Sequence, residues 1–169
     1  DMDLYRTLGY VALGSYMRRL GEISQQASAQ VYQMYGMDFE VKWFPVFLAI
    51  AQKEAETVSK IAEYIGQSHV GVSLMVKEMV NAGFLETQKG LVDKRETNVR
   101  LTEKGEQMHA RMKELLEDLE DTMNEVKNEC ETDVLRSLME YEQVILRKSL
   151  PERIKSRLKI RERNKVNIL

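Results

Sequence analysis

Two short alternating segments interrupt a chain in which apolar residues otherwise recur every three or four positions. Residues 84–89 and 96–101 read as strands, and in the second of them Val99 and Leu101 share one face. The connection between them, residues 90–95, is too long for a tight two-residue turn. A single hairpin between helical segments predicts a mostly α fold with a small sheet.

Four helices are predicted before this hairpin. Apolar residues at helical spacing over residues 4–35 predict one long first helix of about 48 Å, at ~1.5 Å per residue. A second helix is expected over 42–53, where Pro45 fits only in the first turn. A third begins near the N-cap Thr57, and a fourth ends at residue 81.

Long helical segments also follow the hairpin. Thr102 and Thr132 are predicted N-caps of a fifth and a sixth helix, and Pro151 starts or kinks a last segment. We interpret the acidic stretch 114–142 as a solvated helix face. The basic, amphipathic tail 147–165 fits packing against the first helix of a partner subunit, with a membrane surface or nucleic acid as alternatives.

Composition narrows the classes of function. The formal net charge is −2, so any attraction to nucleic acid must come from local patches. The single cysteine, Cys130, is interpreted as an ordinary thiol and fits a reducing, cytoplasmic compartment. No apolar run approaches the ~20 residues of a membrane span. We expect no metal site, no cofactor and no enzymatic activity, because neither a ligand cluster nor a nucleophile–base pair is recognisable.

The order helix, helix, turn, helix, hairpin is that of a winged helix. Within it, "TVSKIAEYIGQSHVGVSLMVKEMVNAGFLE" followed by "DKRETNVRLTEKG" resembles the MarR family of bacterial transcriptional regulators. The second string, residues 93–105, is the specific part, whereas the helix pattern is shared by many helix-turn-helix proteins. The resemblance covers almost the whole chain. It implies a mostly α fold with a small two- or three-stranded wing and long N- and C-terminal dimerisation helices.

The resemblance also implies the domain organisation and the partners. Residues 1–36 and 106–165 are expected to form the helical dimerisation region, and residues 37–105 the DNA-binding lobe. A homodimer would bind double-stranded DNA at a pseudo-palindromic operator, with half-sites about one turn apart. A small aromatic or lipophilic effector is expected between the dimer helices and the DNA-binding lobe. The candidate lining residues, for which an ordinary core role is the alternative, are Tyr16, Met17, Trp43, Phe47 and Met112.

Candidate DNA-contacting residues lie on the fourth helix and on the wing. By resemblance, Arg95 enters the minor groove and Asp93 orients its basic neighbours, while Lys89 and Lys94 suit phosphate contacts. Helical phase places Val72, Met75, Val76 and Met79 on the buried side of the fourth helix. It leaves these residues facing outward or at the edge: Ser68, His69, Gly71, Ser73, Leu74 and Lys77.

The fourth helix departs from its relatives at three of these positions. Many relatives have Arg where this chain has Leu74, Thr where it has Gly71, and Pro or Ser where it has His69. Fewer cations release fewer counterions, which predicts weaker and less salt-sensitive binding by the helix itself.

Two alternative functions stay open. The winged helix could be a protein-interaction module that uses Val70 and Leu74 as an exposed apolar contact. The chain could also be the N-terminal regulatory half of a regulator–acetyltransferase fusion, with residues 166–169 at the start of a further, absent domain.

Overall fold

The computed structural model describes residues 3–53, 56–89 and 97–166, and the chain divides into two units, Asp1–Leu116 and Glu117–Leu169. The helices are α1 (Leu4–Leu8), α2 (Leu13–Met34), α3 (Phe44–Lys53), α4 (Val58–Ile65), α5 (His69–Asn81), α6 (Glu103–Glu129), α7 (Val134–Arg147) and α8 (Leu150–Val166). The strands are β1 (Glu56–Thr57), β2 (Leu85–Lys89) and β3 (Thr97–Leu101). The predicted fold class, mostly α with a small wing, is confirmed.

The prediction of one continuous first helix is wrong. A short 3₁₀ turn, Gly9–Ala12, separates α1 from α2. Gly9 ends α1 with φ 55° and ψ −133°, a conformation that side-chain-bearing residues rarely adopt. The apolar spacing continues across the turn, so periodicity alone could not report this break.

Local caps define the helix-turn-helix, and the predicted cap at Thr57 is confirmed. Thr57 precedes α4, and its hydroxyl accepts a hydrogen bond from the Lys60 N–H at 3.3 Å. Gly66 ends α4 in the left-handed region, with φ 67°. Ser68 then caps α5 by accepting the Gly71 N–H at 3.1 Å. The two capping side chains satisfy N–H groups that a helix start leaves without a partner.

The wing is a three-stranded antiparallel sheet in the order β1-β3-β2. Strands β2 and β3 pair in a register that places Thr87 opposite Val99. The short strand β1 pairs with the other edge of β3, where Glu56 lies opposite Val99. Val99 is fully buried, so one face of the sheet closes the core while the other faces solvent.

An aromatic cluster forms the core of the first unit. The Phe39 ring lies edge-on to Trp43, Phe47 and Phe84, with ring centroids 5.5, 5.0 and 5.6 Å apart. Helix α6 adds buried apolar side chains at helical spacing, namely Met108, Met112 and Leu115. The Arg111 guanidinium also donates to the Gly36 carbonyl at 2.9 Å, which ties α6 to the end of α2.

The second unit is helical and open. Its helix α7 begins at Asp133, whose side chain accepts the Arg136 N–H at 3.0 Å, so the predicted N-cap Thr132 is wrong by one residue. Asp and Thr both cap helices, and the sequence alone did not separate the two neighbours. Cys130 lies exposed between α6 and α7. None of the described side chains from 117 to 161 is buried. Val166 ends α8, and residues 167–169 lie outside the described part of the chain.

Candidate nucleic-acid interface

Helix α5 has a buried side and an outward side. Val72, Val76 and Met79 are buried against the first unit, as the helical phase predicted. Met75, expected to be buried with them, is only half-buried because it lies at the margin of that face. At about 100° per residue, Val70 lies opposite the buried residues. The side of α5 that faces solvent is therefore the side predicted to meet DNA.

The six residues predicted to contact DNA from the fourth helix are accessible to solvent, as expected. Ser68, His69, Ser73, Leu74 and Lys77 are exposed, and Gly71 is half-exposed. A Cβ on this glycine would lie 3.1 Å from the capping hydroxyl of the preceding serine, which is tighter than most such contacts. The glycine therefore preserves the start of α5, whereas DNA contact by any of the six stays a prediction.

Three of these residues line a groove of about 580 Å³ between α5, the start of α4 and strand β2. They are His69, Ser73 and Lys77. The groove also brings in three polar residues that the sequence analysis missed, namely Ser59, Lys60 and Thr87. Ser59 and Lys60 could have been found from the sequence, because the predicted N-cap Thr57 places them in the first turn of a helix beside α5.

The groove suits an anionic partner. Lys60 forms an ion pair with Glu56 at 3.3 Å and keeps about two thirds of its side chain exposed. The Thr57 N–H and then Lys60 bond to the Glu56 carboxylate, which lowers the pKa of Glu56. Among the described residues, no acidic group lies within ion-pair distance of Lys77. Hydroxyl groups and ammonium groups at such a surface are the usual partners of DNA phosphates.

The opposite flank of α5 is held by a carboxylate. Glu78 accepts a hydrogen bond from the Trp43 indole N–H at 2.8 Å and forms an ion pair with Lys42 at 2.7 Å. These two donors, Lys42 first, lower the pKa of Glu78, and the Glu78 carboxylate in turn raises the pKa of Lys42. The only acidic residue of α5 is thus directed away from the groove.

The start of α6 holds the end of α5. The Thr102 hydroxyl donates to the Gly83 carbonyl at 2.6 Å, and the Thr102 N–H donates to the Phe84 carbonyl at 3.0 Å. The Lys104 ammonium donates to the Ala82 carbonyl at 2.6 Å and lies 4.4 Å from the centre of the Phe84 ring. This part of the motif that resembles the MarR family therefore has a structural role.

Gly105 completes the same contact. A Cβ at this position would lie 2.2 Å from the Phe84 carbonyl oxygen, far inside van der Waals contact. Its N–H donates to the Thr102 hydroxyl at 3.0 Å, which confirms the predicted cap of α6.

The predicted contacts of the wing tip fall on residues 93–95. Asp93, Lys94 and Arg95 lie outside the described residues, so their predicted contacts stay predictions. The backbone of Lys89 pairs in β2, while its side chain also lies outside what the structure describes. The strands below the tip are cross-linked by an ion pair between Glu86 and Arg100.

The five candidate effector residues do not converge on one cavity. Trp43, Phe47 and Met112 are buried in the core of the first unit, and Met17 is half-buried on α2. Tyr16 lines a cavity of about 380 Å³ at the junction of α1 and α2. There the Arg19 guanidinium lies 5.3 Å from the centre of the Tyr16 ring and pairs with Asp3 at 3.2 Å.

Within residues 3–53, 56–89 and 97–166, no three His, Cys, Asp or Glu side chains cluster closely enough to hold a metal ion. Over the same residues, no helix combines the length and the apolar content that crossing a bilayer requires.

Three packed helices, a hairpin and an exposed second helix of the turn define a winged helix-turn-helix protein. No family model matches the chain. It is 34% identical over 89 residues to an uncharacterized HTH-type transcriptional regulator, YfeR of Shigella flexneri. That match covers 53% of this chain, which spans only 27% of the length of the relative.

Solved structures give a more complete match. A mutant MarR from E. coli with operator DNA has a TM-score of 0.59 at 19% identity, covering 86% of this chain and 99% of that one. The M. tuberculosis transcriptional regulator MOSR in complex with DNA has a TM-score of 0.64 at 20% identity, covering 80% and 97%. PcaV from Streptomyces coelicolor with its natural ligand has a TM-score of 0.60 at 17% identity, covering 88% and 98%. The fold is that of the MarR-type regulators, as the sequence resemblance predicted.

Proposed function

We propose that this chain is a homodimeric, DNA-binding transcriptional regulator, controlled by a small-molecule effector. The observation that supports it most is the exposed side of α5 beside a groove of hydroxyl and basic side chains, on a fold whose structural relatives include proteins solved with DNA. A helix of this kind fits the major groove, and the groove residues lie where they can reach the adjacent phosphates. The function requires no catalysis.

Selection of bound DNA from a random pool, followed by fluorescence anisotropy at several salt concentrations, tests DNA binding. The affinity should fall steeply with salt, because each neutralised phosphate adds about 0.9 to the slope of the logarithmic plot. Lys60→Ala and Lys77→Ala should each reduce that slope by roughly one phosphate contact per half-site. Lys113→Ala, an exposed lysine on α6 that does not line the groove, is the matched control.

Arg95→Ala tests the wing separately, and unchanged affinity would remove its minor-groove assignment. If no DNA is selected even at low salt, DNA binding is wrong. The alternative interaction module predicts instead a salt-insensitive complex with a protein.

Exposed apolar residues on each unit support the homodimer. On the second unit they include Leu135, Leu138, Leu146, Leu150, Ile154 and Leu158, all at least 45% exposed. On the first unit they include Leu4, Leu8, Val11, Leu20 and Ile23. Because the described side chains of the second unit have no buried core of their own, these residues need a partner surface.

The cavity beside Tyr16 supports effector control. Its volume of about 380 Å³ suits a small aromatic molecule, and tyrosine rings flank Arg19 within it. Simple phenols titrated into the protein–DNA complex should weaken binding, and Tyr16→Ala should abolish that response without changing affinity in their absence. If Tyr16→Ala leaves the response unchanged, the effector binds elsewhere.

The regulator–acetyltransferase alternative predicts that the reading frame continues into an acyltransferase domain beyond residue 169. Sequencing the gene tests that alternative directly. The DNA-binding function proposed for the described residues is the same in either case.

A further inference from the structure

Two apolar side chains project from the solvent-facing side of α5, opposite its buried side. Val70 is 70% exposed and Leu74 is 58% exposed, although both are branched apolar residues on a helix that buries three others well. They are four residues apart and therefore lie on the same side of the helix, opposite Val72 and Val76. An apolar pair at the position closest to a bound partner indicates that the partner offers apolar groups there.

Double-stranded DNA offers one apolar group in its major groove. The C5-methyl of thymine is accessible there, and apolar side chains contact it in known complexes. Val70 and Leu74 are separated by about 6 Å along the helix axis, at ~1.5 Å per residue. Base pairs follow one another at about 3.4 Å, so the two side chains can contact methyl groups up to about two steps apart.

The surroundings of the pair favour DNA over a protein partner. Residues 67–77 contain no acidic side chain, and Glu78 is bonded to Lys42 and Trp43 on the other flank. A stable protein interface buries about 800 Å² on each partner, far more than two side chains provide. His69, Ser73 and Lys77 flank the pair with polar groups that suit base edges and phosphates.

We propose that Val70 and Leu74 are the specificity-determining residues of α5 and that they read thymine methyl groups in each half-site. This inference rests on the proposed DNA-binding function and deepens it. It explains how a helix with a single lysine selects a sequence: shape-matched methyl contacts supply the discrimination, while the groove residues supply attraction to the backbone. The preferred half-site contains two thymines within two base-pair steps, on either strand.

Uracil substitution tests the methyl contacts in the selected operator. Replacing one thymine at a time by deoxyuridine removes the methyl group and keeps base pairing intact. At one or two positions of each half-site, uracil should weaken binding about fourfold per contacting methyl, the effect expected for one buried carbon. Other thymines should tolerate the exchange with no change in affinity.

Alanine variants of the protein test which side chain contacts each methyl group. Val70→Ala and Leu74→Ala should each bind the thymine operator less well and lose sensitivity to uracil at one position. Ser73→Ala changes a polar residue beside the apolar pair. This variant should lose as much affinity on uracil substitution as the wild type does. Circular dichroism of each variant checks that the protein remains folded.

The outcomes separate this inference from the function on which it rests. If the protein selects DNA but no uracil substitution matters, or if both alanine variants keep the wild-type uracil response, methyl reading is wrong and DNA binding stands. If no DNA is selected at low salt, both are wrong, and a salt-insensitive protein complex lost in Leu74→Ala would assign the pair to a protein partner.

Discussion

Glycine at position 105 is required by a neighbouring carbonyl rather than by a backbone angle. A Cβ there would lie 2.2 Å from the Phe84 oxygen, a backbone atom that cannot rotate away. By contrast, Gly21 lies inside α2, and a Cβ there would meet nothing within 4 Å. The same residue type thus has opposite roles at two helical positions.

Gly105→Ala should lower the free energy of unfolding by about 1–3 kcal/mol, the usual cost of overpacking. Gly21→Ala should leave it unchanged or raise it by about 0.5–1 kcal/mol, because glycine weakens a helix interior. Urea unfolding monitored by circular dichroism measures both changes. Equal effects in the two variants would show that the contact with Phe84 is not tight.

Single residues were predictable where their role is local. Thr57 could be assigned because capping depends on the next three or four residues. The partners of Thr102 and Lys104 lie about twenty positions away in the chain, so no local pattern identifies them. The sequence motif was recognisable, but its role as a clamp on the end of α5 required the structure.

At the scale of elements, contacts on three sides hold α5 in its position. Its buried side packs in the core, its end is held by Thr102 and Lys104, and its flank is held through Glu78. The buried side was predictable from periodicity, because it repeats at helical spacing. The groove was not, since it depends on how α4, α5 and β2 meet. The break at Gly9 was missed for a different reason, because the apolar spacing continues through it.

The Glu78 contact predicts a pH dependence of stability. Its pKa in the folded protein lies below the ordinary value of 4.5, because the Lys42 ammonium and the Trp43 N–H stabilise the carboxylate. A lowered pKa means that this contribution is present above pH 4.5 and is lost as the pH falls through the folded-state pKa. Glu78→Gln should therefore be less stable than the wild type near pH 7, by a small margin because the pair is exposed.

The measurement is urea unfolding of both proteins at pH 7 and below pH 4. The difference in unfolding free energy between the wild type and Glu78→Gln should shrink at the lower pH. Glu86→Gln, which removes another exposed ion pair on the wing, is the control. A difference that stays constant with pH would contradict the role of the Glu78 carboxylate.

At the scale of the whole molecule, many large apolar side chains of the described residues are exposed. Ile154 and Leu158 project from α8, and neither is covered within its own unit. The basic character of this tail was readable from the sequence, as was the four-residue spacing of Leu150, Ile154 and Leu158. In the proposed homodimer, a second subunit covers this face, and the residues of that surface lie on another chain, so no local pattern identifies them.

Ile154→Glu should shift the homodimer toward monomer and raise the dissociation constant by at least about tenfold, since burying a carboxylate costs several kcal/mol. Lys155→Glu, the next residue on the same helix, should leave the dimer intact. Sedimentation velocity over a range of protein concentrations distinguishes the two. A dimer unaffected by Ile154→Glu would place the interface away from this face of α8.

Cys130 makes the assembly measurable without altering the chain. It is the only cysteine of the sequence and is exposed between α6 and α7, so a thiol reagent attaches one nitroxide to each chain. In a homodimer the two labels form a single pair, and dipolar electron paramagnetic resonance would report their separation as one distance distribution. Operator DNA or a phenol that moves the subunits would shift that distribution, giving a direct readout of conformation where binding assays give only affinity.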